Sequence, residues 1–318
     1  MKILLIDGNN ISYMGQGRVM THEEVRTETI FTGMNMVRGY LDEFRPDRVA
    51  VVWDGGRDKR RMELYPEYKK RKEKTESEKI EAEILYKQMA LLKECLRLLG
   101  ITQFKVPYRE ADDVIYNIIK MFLSVRDITE IIVVTTDKDY YQLFLLNDSL
   151  KVFNPVKKQL WDKDKFQEEF GFHVCNYLTY KAVVGDPSDN LPGLKGIGPV
   201  GAKTIIESLY RFADDSVLTK KEYALLEKFA NNEEVFELMK KLMRFMDINK
   251  QDILDVKEKH ELKSVNELYT TAVEIMNKYG FERMLNNFAY FIEPFEALLL
   301  KEHNHKKLIE ELEDNEKN

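Results

Sequence analysis

Nine carboxylates stand where a folded chain could gather them. Lys2–Ile6 runs straight into Asp7, Val49–Trp53 into Asp54, and Ile131–Thr135 into Thr136, Asp137 and then Asp139. Glu110, Asp112 and Asp113 precede the largely apolar run Val114–Ile119, and Asp186 and Asp189 lie three residues apart in the turn-like segment 185–190. Any one of these acids has an ordinary explanation as a turn residue or helix cap. Their conjunction does not. Two unit charges ~4 Å apart repel by about 4 kcal/mol at an effective dielectric of about 20. Nine gathered together would outweigh the ~5–15 kcal/mol stability of a domain unless cations neutralise them. None of the five histidines (His22, His173, His260, His303, His305) adjoins these acids in sequence. An all-oxygen donor set suits Mg²⁺ or Mn²⁺ rather than zinc. Two such ions ~3.5–4 Å apart activate water and stabilise a leaving oxygen in phosphodiester cleavage. The expectation is two or more Mg²⁺, replaceable by Mn²⁺.

The elements that must position these acids follow from the apolar pattern. Lys2–Ile6, Val49–Trp53 and Ile131–Thr135 are short, Ile/Val-rich runs, the signature of parallel strands covered on both faces. Helical segments at about 23–44, 78–99 and 111–124 alternate with them, which predicts an α/β fold with a mainly parallel sheet flanked by helices. In such sheets the carboxyl ends of the strands face the ligand crevice, so three strands deliver acids to one edge. The acids at 110–113 would join them from a helix start, where they also favour the dipole. In 78–99, Ile84, Leu91, Leu92, Cys95 and Leu99 mark the core face. From about 175 onward strand signals vanish and helices dominate. The expected organisation is an α/β domain over 1–175, a helical domain over 176–300 packed closely against it, and a charged tail over 301–318.

Two further segments suit a polyanion. Residues 57–74 carry nine basic side chains against four acidic ones, although the whole chain has a net charge of −6. With Tyr65 and Tyr68 interleaved, this first half of 57–90 could draw in phosphates and stack unpaired bases at ~1–3 kcal/mol each. Met62, Leu64 and Ile80 read as packing. The second segment, within 186–206, sets Gly196 and Gly198 around Ile197, then Pro199 and Ala202, with Lys195 and Lys203 on either side. Glycines admit a close phosphate, and Pro199 begins a helix whose free N–H groups attract anions. Lysines there add charge without reading bases. The pattern resembles the helix-hairpin-helix modules that grip DNA backbones without reading sequence, and the resemblance implies a monovalent cation, K⁺, at the hairpin.

Other classes are disfavoured. The longest apolar runs, Val49–Trp53 and Phe288–Ile292, have five residues, against the roughly 20 of a membrane span. Ile3–Ile6 is too short for the ~7–15-residue core of a secretory signal. Cys95 and Cys175 form no CxxC pair and read as buried small hydrophobes of a cytoplasmic protein.

Six motifs together resemble the 5′-nuclease family, which includes phage and bacterial flap endonucleases, phage ribonuclease H and the 5′→3′ exonuclease domain of bacterial DNA polymerase I. They are Asp7-Gly-Asn-Asn, Val-Trp-Asp54, Tyr65-Pro-Glu-Tyr68-Lys69, Glu110-Ala-Asp112-Asp113, Thr136-Asp137-Lys-Asp139 and Gly185-Asp186-Pro-Ser-Asp189-Asn. They fall in family order between 2 and about 206. The resemblance implies a PIN-like, resolvase-type core with a helical arch at about 57–90. It implies that Asp7, Asp54, Glu110 and Asp112 hold a first metal, and that Asp113, Asp137, Asp139, Asp186 and Asp189 hold or orient a second. It implies that Tyr68 stacks on the terminal base, that Lys69 contacts the scissile phosphate, and that Arg71 or Lys72 adds a phosphate contact. The implied activity is two-metal hydrolysis of 5′-ended, flapped, forked or nicked DNA, leaving a 5′-phosphate and a 3′-hydroxyl. Such an enzyme would act as a monomer beside replication-fork proteins, in a host's cytoplasm if phage-encoded. RNA primers on DNA as the main substrate, and a non-catalytic module for branched DNA, remain as alternatives.

Overall fold

The computed structural model describes residues 1–17, 19–71, 73–124, 127–213 and 217–316; Lys72, one of the two expected phosphate contacts, lies outside them. The chain opens with β1 (Lys2–Asp7), α1 (Gly8–Met14), the short hairpin β2 (Thr21–His22) and β3 (Val25–Arg26), α2 (Glu28–Phe44) and β4 (Arg48–Val52). Next come α3 (Lys59–Leu64), α4 (Glu76–Leu98), β5 (Thr102–Phe104), α5 (Ala111–Leu123), β6 (Glu130–Val134), β7 (Leu150–Asn154) and β8 (Gln159–Trp161). The strands form one sheet in the order β5-β4-β1-β6-β7-β8, parallel except where β8 runs antiparallel to β7. Strand order therefore reverses beside β1. The crevice at such a reversal, past the carboxyl ends, is where open α/β sheets bind ligands.

The sheet is buried on both faces because successive side chains alternate. Leu4, Ile6, Val49, Val51, Ile132 and Val134 face α2 and α4 on one side. Ile3, Leu5, Ala50, Val52, Ile131 and Val133 face α5 and the aromatic residues after β6 on the other. The three predicted strands and three predicted helices all form, each shifted by only a few residues except α2, whose predicted start is occupied by the β2–β3 hairpin. The buried face of α4 carries Leu85, Gln88, Met89, Leu92, Cys95 and Leu96, so Ile84 and Leu91 flank the core rather than centre it. Leu64 and Ile80 are exposed, contrary to their reading as packing residues. Cys95 is buried as expected; Cys175 is exposed.

The remaining helices are α6 (Lys163–Phe170), α7 (Tyr177–Val184), α8 (Pro199–Ala213), α9 (Lys220–Ala230), α10 (Glu233–Met243), α11 (Lys250–Leu254), α12 (Val265–Lys278), α13 (Glu282–Asn286) and α14 (Phe288–Glu316). They do not make one separate domain over 176–300. Residues of α7, α8 and α10 form a core of their own around Leu194 and Ile197, whereas Leu262, Leu268, Ile275, Met276, Phe291 and Phe295 complete the core on one face of the sheet. The expected tail at 301–318 continues α14 as far as Glu316. Among the described residues no helix is long and apolar enough to cross a membrane.

Candidate metal centre and nucleic-acid interface

Asp7 ends β1 and caps α1, its carboxylate accepting from the Asn10 N–H at 3.0 Å. Asp54 lies two residues past β4, anchored by its own N–H to Asn9 (3.1 Å) and through its carboxylate to the Ala111 N–H (2.8 Å). That second bond ties the edge of β4 to the first turn of α5, where Glu110 is the cap residue and Asp112 and Asp113 follow. Past β6, Thr135 donates to Asp7 at 3.3 Å, and Asp137 caps a 3₁₀ turn by accepting from the Asp139 N–H at 2.8 Å. Close packing draws these edges together. A Cβ on Gly8 would sit 2.4 Å from the Trp53 ring, so the residue after Asp7 has to be glycine for the residue before Asp54 to fit.

The acids crowd one another. Asp7 is pushed up to about 7 by burial and then by repulsion from Asp54 and Asp137. Asp137 rises to about 7 through burial and repulsion from Asp139. Burial raises Asp54 and Asp112 as well, with Glu110 adding to the repulsion in both cases. Asp189 rises to about 6 through burial, although Lys69 pulls it down. At Asp186 burial acts upward, but hydrogen bonds from Lys181 and Ser188 outweigh it and hold the group below the usual carboxylate range.

Cations of the chain itself neutralise part of this cluster, Arg60 among them at 3.8 Å from Asp113. Lys69 Nζ lies 2.9 Å from Glu110 and 3.6 Å from Asp189. Lys181 bridges Asp139 (2.7 Å) and Asp186 (2.5 Å). Arg61, only 1% exposed, grips Asp113 with both arms at 2.5 and 3.0 Å and lies 3.5 Å from Glu110. It also donates to the carbonyls of Leu242 (2.8 Å) and Arg244 (3.1 Å). The remaining lone pairs of Asp113 receive the Met246 N–H at 2.8 Å. Five carboxylates are thus ion-paired. Asp7, Asp54, Asp112 and Asp137 make no ion pair among the described residues, the lysines and Arg61 acting on the last three only from a distance.

Whether this set fits a divalent ion is decided by its donors. All are oxygens, and Glu110 Oε1 is buried with no hydrogen-bond partner. A hard cation satisfies both features. As the side chains stand, no three His, Cys, Asp or Glu among the described residues converge on one ion position. Lys69 and Lys181 sit between acids that would otherwise face each other across the crevice.

The structure departs from the sequence expectation at two positions. Asp113, fully buried beneath the crevice, is an ion-pair partner of Arg61 with its oxygens already engaged. Tyr68, only 2% exposed, presents no ring to a base. It packs in the core around the hairpin, with its hydroxyl donating to Glu110 at 2.8 Å. Burial is the cause in both cases, and neither residue type announces it. The sequence pattern singles out neither Lys181 nor the role of Arg61. A lone lysine in the otherwise apolar helix Tyr177–Val184 was the available signal for the first; Arg61 is hidden within a basic run.

Lys69 itself adopts φ +50, an uncommon conformation for a residue other than glycine, and its N–H donates to Asp189 O at 2.9 Å. The loop carrying Tyr68 and Lys69 is thereby fastened to the turn carrying Asp186 and Asp189. Arg71 is exposed and lines the cleft above them, about 870 Å³ in volume, together with Asp54, Lys69, Glu110 and Asp189. At the hairpin, Ile197 is buried, Lys195 and Gly198 are exposed, and Lys203 is half-buried beside the Phe172 ring. Gly196 has φ +73, and its carbonyl accepts from Lys228 Nζ at 3.1 Å, so an ammonium of the chain already reaches the hairpin where K⁺ is expected.

A doubly wound sheet whose strand ends present carboxylates around a basic cleft defines a resolvase-like nuclease fold. The chain belongs to the 5′-3′ exonuclease family: the model of its N-terminal resolvase-like domain matches residues 2–171. It is 32% identical over 215 residues to DNA polymerase I of Caldicellulosiruptor bescii, covering 65% of this chain and 24% of that protein. The chain thus spans about a quarter of the length of the polymerases it matches. It is 28% identical over 294 residues to a 5′-3′ exonuclease of Aquifex aeolicus, covering 86% of this chain and 98% of that one. Among solved structures it shares its fold with the bacteriophage T5 flap endonuclease in a pseudo-enzyme–product complex with DNA and metal ions (TM-score 0.64, 18% identity, 94% and 99% of the two chains covered).

Proposed function

We infer that this chain is a divalent-metal-dependent phosphodiesterase acting on DNA that carries a 5′ end or 5′ flap. One observation supports the reading above all: four carboxylates that make no ion pair among the described residues, Asp7, Asp54 and Asp137 at or just past strand ends and Asp112 in the first turn of α5, lie along one edge of the sheet, and Asp54 among them lines a lysine-bearing cleft. Kinship with a full-length 5′-3′ exonuclease, and a fold shared with a flap endonuclease solved with DNA and metal ions, support it. Asp7, Asp54, Glu110, Asp112 and Asp137 would hold Mg²⁺ or Mn²⁺, with Asp139, Asp186 and Asp189 completing or orienting the set. When bound, such ions lower the pKa of water and stabilise charge on the phosphoryl oxygens. Lys69, paired with Glu110 and Asp189, would turn its ammonium toward the scissile phosphate and stabilise the charge that builds there. Arg71 attracts the same strand, and the hairpin at Lys195–Gly198 with Lys203 holds the duplex backbone without reading sequence. A K⁺ at the hairpin would share it with the Lys228 ammonium, which already reaches the Gly196 carbonyl.

The test is a 5′-flap duplex incubated with Mg²⁺ and wild type, Asp54→Asn or Asp186→Asn. Wild type should release the flap, and both variants should fail; equal cleavage by all three would refute the assignment. Flaps tipped with RNA or DNA, run side by side, report which tip is the better substrate.

A further inference from the structure

The cleft has a second charged wall, for which the proposed chemistry has no use. Besides the acids, α4 and the segment after β5 present Tyr86, Lys93 and Lys105 to the same space. Lys69 and Lys181 are each held by two carboxylates. Lys93 is half-buried, its ammonium lies 4.6 Å from the centre of the Trp53 ring, and among the described residues it makes no ion pair. Burial and the neighbouring charge of Lys105 push it down to about 8, with Asp54 and Glu258 offsetting only part of the effect. Two like charges held together at the mouth of a cleft, one of them partly desolvated, destabilise the unliganded protein as the crowded acids do, but with the opposite sign. An anion relieves that repulsion. Tyr86 stands nearby on the same helix, 53% exposed, with a ring face available to a base.

We propose that Lys93 and Lys105 form a phosphate subsite for single-stranded nucleic acid, and that Tyr86 stacks on the base next to it. The acidic wall with Lys69 takes the phosphate to be cut; the basic wall takes a neighbouring phosphate of the unpaired strand. Trp53 connects the two, since its ring supports the Lys93 ammonium and the following residue is Asp54. The inference rests on the nuclease reading for the kind of ligand, but its test needs no cleavage.

The experiment measures fluorescence anisotropy in EDTA with a blunt duplex and the same duplex bearing a short 5′ overhang. Wild type should bind the overhang duplex more tightly. Lys93→Gln combined with Lys105→Gln should lose roughly tenfold on the overhang duplex while changing blunt binding less than about twofold, and should lower the salt slope on the overhang by about 1.4, the value for two single-strand phosphate contacts. Tyr86→Ala should weaken overhang binding roughly tenfold with no change in that slope. Lys93→Arg, which retains the charge, should restore overhang binding. No overhang preference in wild type, equal losses on both duplexes, or an unchanged salt slope would overturn the proposal. Intact overhang preference in a protein that never cleaves with Mg²⁺ would instead sink the nuclease reading and leave this subsite standing.

Discussion

Asp113 and Asp54 are the same residue type, both near the start of α5, and the fold puts them to opposite uses. Asp113 is sealed beneath the crevice, where Arg61 answers its charge and the Leu242 and Arg244 carbonyls complete the guanidinium. That clasp joins α3, α5 and the end of α10. Asp54 lies at the crevice lip, reached by solvent yet crowded by its neighbours, bonded to the Ala111 N–H and in no ion pair among the described residues, with Lys69 and Lys93 acting on it only from a distance. Asp7 and Asp137 share its situation. The difference teaches that a carboxylate cluster is not one site. Its buried base is neutralised by the chain and holds the elements in register, while its lip stays uncompensated and able to take an ion.

The contrast is sharpest under substitution. Asp54→Asn keeps an oxygen for Ala111 but removes a charge the proposed ions need. Cleavage should fall on the order of 10³-fold, since such ions supply several kcal/mol of transition-state stabilisation. The melting temperature in EDTA should hold or rise. Arg61→Met should do the reverse, costing about 3–5 kcal/mol in denaturant unfolding because Asp113 is left charged and buried. Adding Asp113→Leu should recover much of that loss; a double variant no better than the single one would break the comparison. Tyr68→Phe removes a hydrogen bond to a carboxylate and should cost about 1.5–3 kcal/mol of stability. Unchanged stability together with weakened DNA binding would restore Tyr68 as a stacking residue.

Acidity separates the two regions more gently. In the metal-free protein Asp7 and Asp137 keep their protons up to about pH 7, whereas the unfolded chain releases them near 3.8. Their contribution to stability is therefore complete below about pH 4 and is lost as pH rises through about 7. Melting temperatures in EDTA should decline from pH 6 to pH 8, and saturating Mg²⁺ should flatten the decline. A melting temperature in EDTA that climbs over that range would place the uncompensated charge elsewhere.

The chain order of strong signals made much of this legible. Continuous Ile/Val runs disclosed β1, β4 and β6, and an Asp just past each marked the crevice edge. The short strands β5 and β8, with three residues each, carry too little pattern to be seen. The fate of Asp113 could not be read, because its partner Arg61 lies 52 residues away and looks like its solvent-facing neighbours. Tyr68 misled for a related reason. An aromatic between basic residues suits base stacking and core packing equally, and only the closure of the 65–70 loop onto the turn at 186–190 selects the second.

Anomalous scattering from a crystal soaked in Mn²⁺ tests the central claim most directly. The account predicts metal peaks bounded by Asp7, Asp54, Asp112 and Asp137, with the Arg61–Asp113 pair intact below them. An empty crevice lip, or manganese bound to Asp113 with Arg61 displaced, would contradict it.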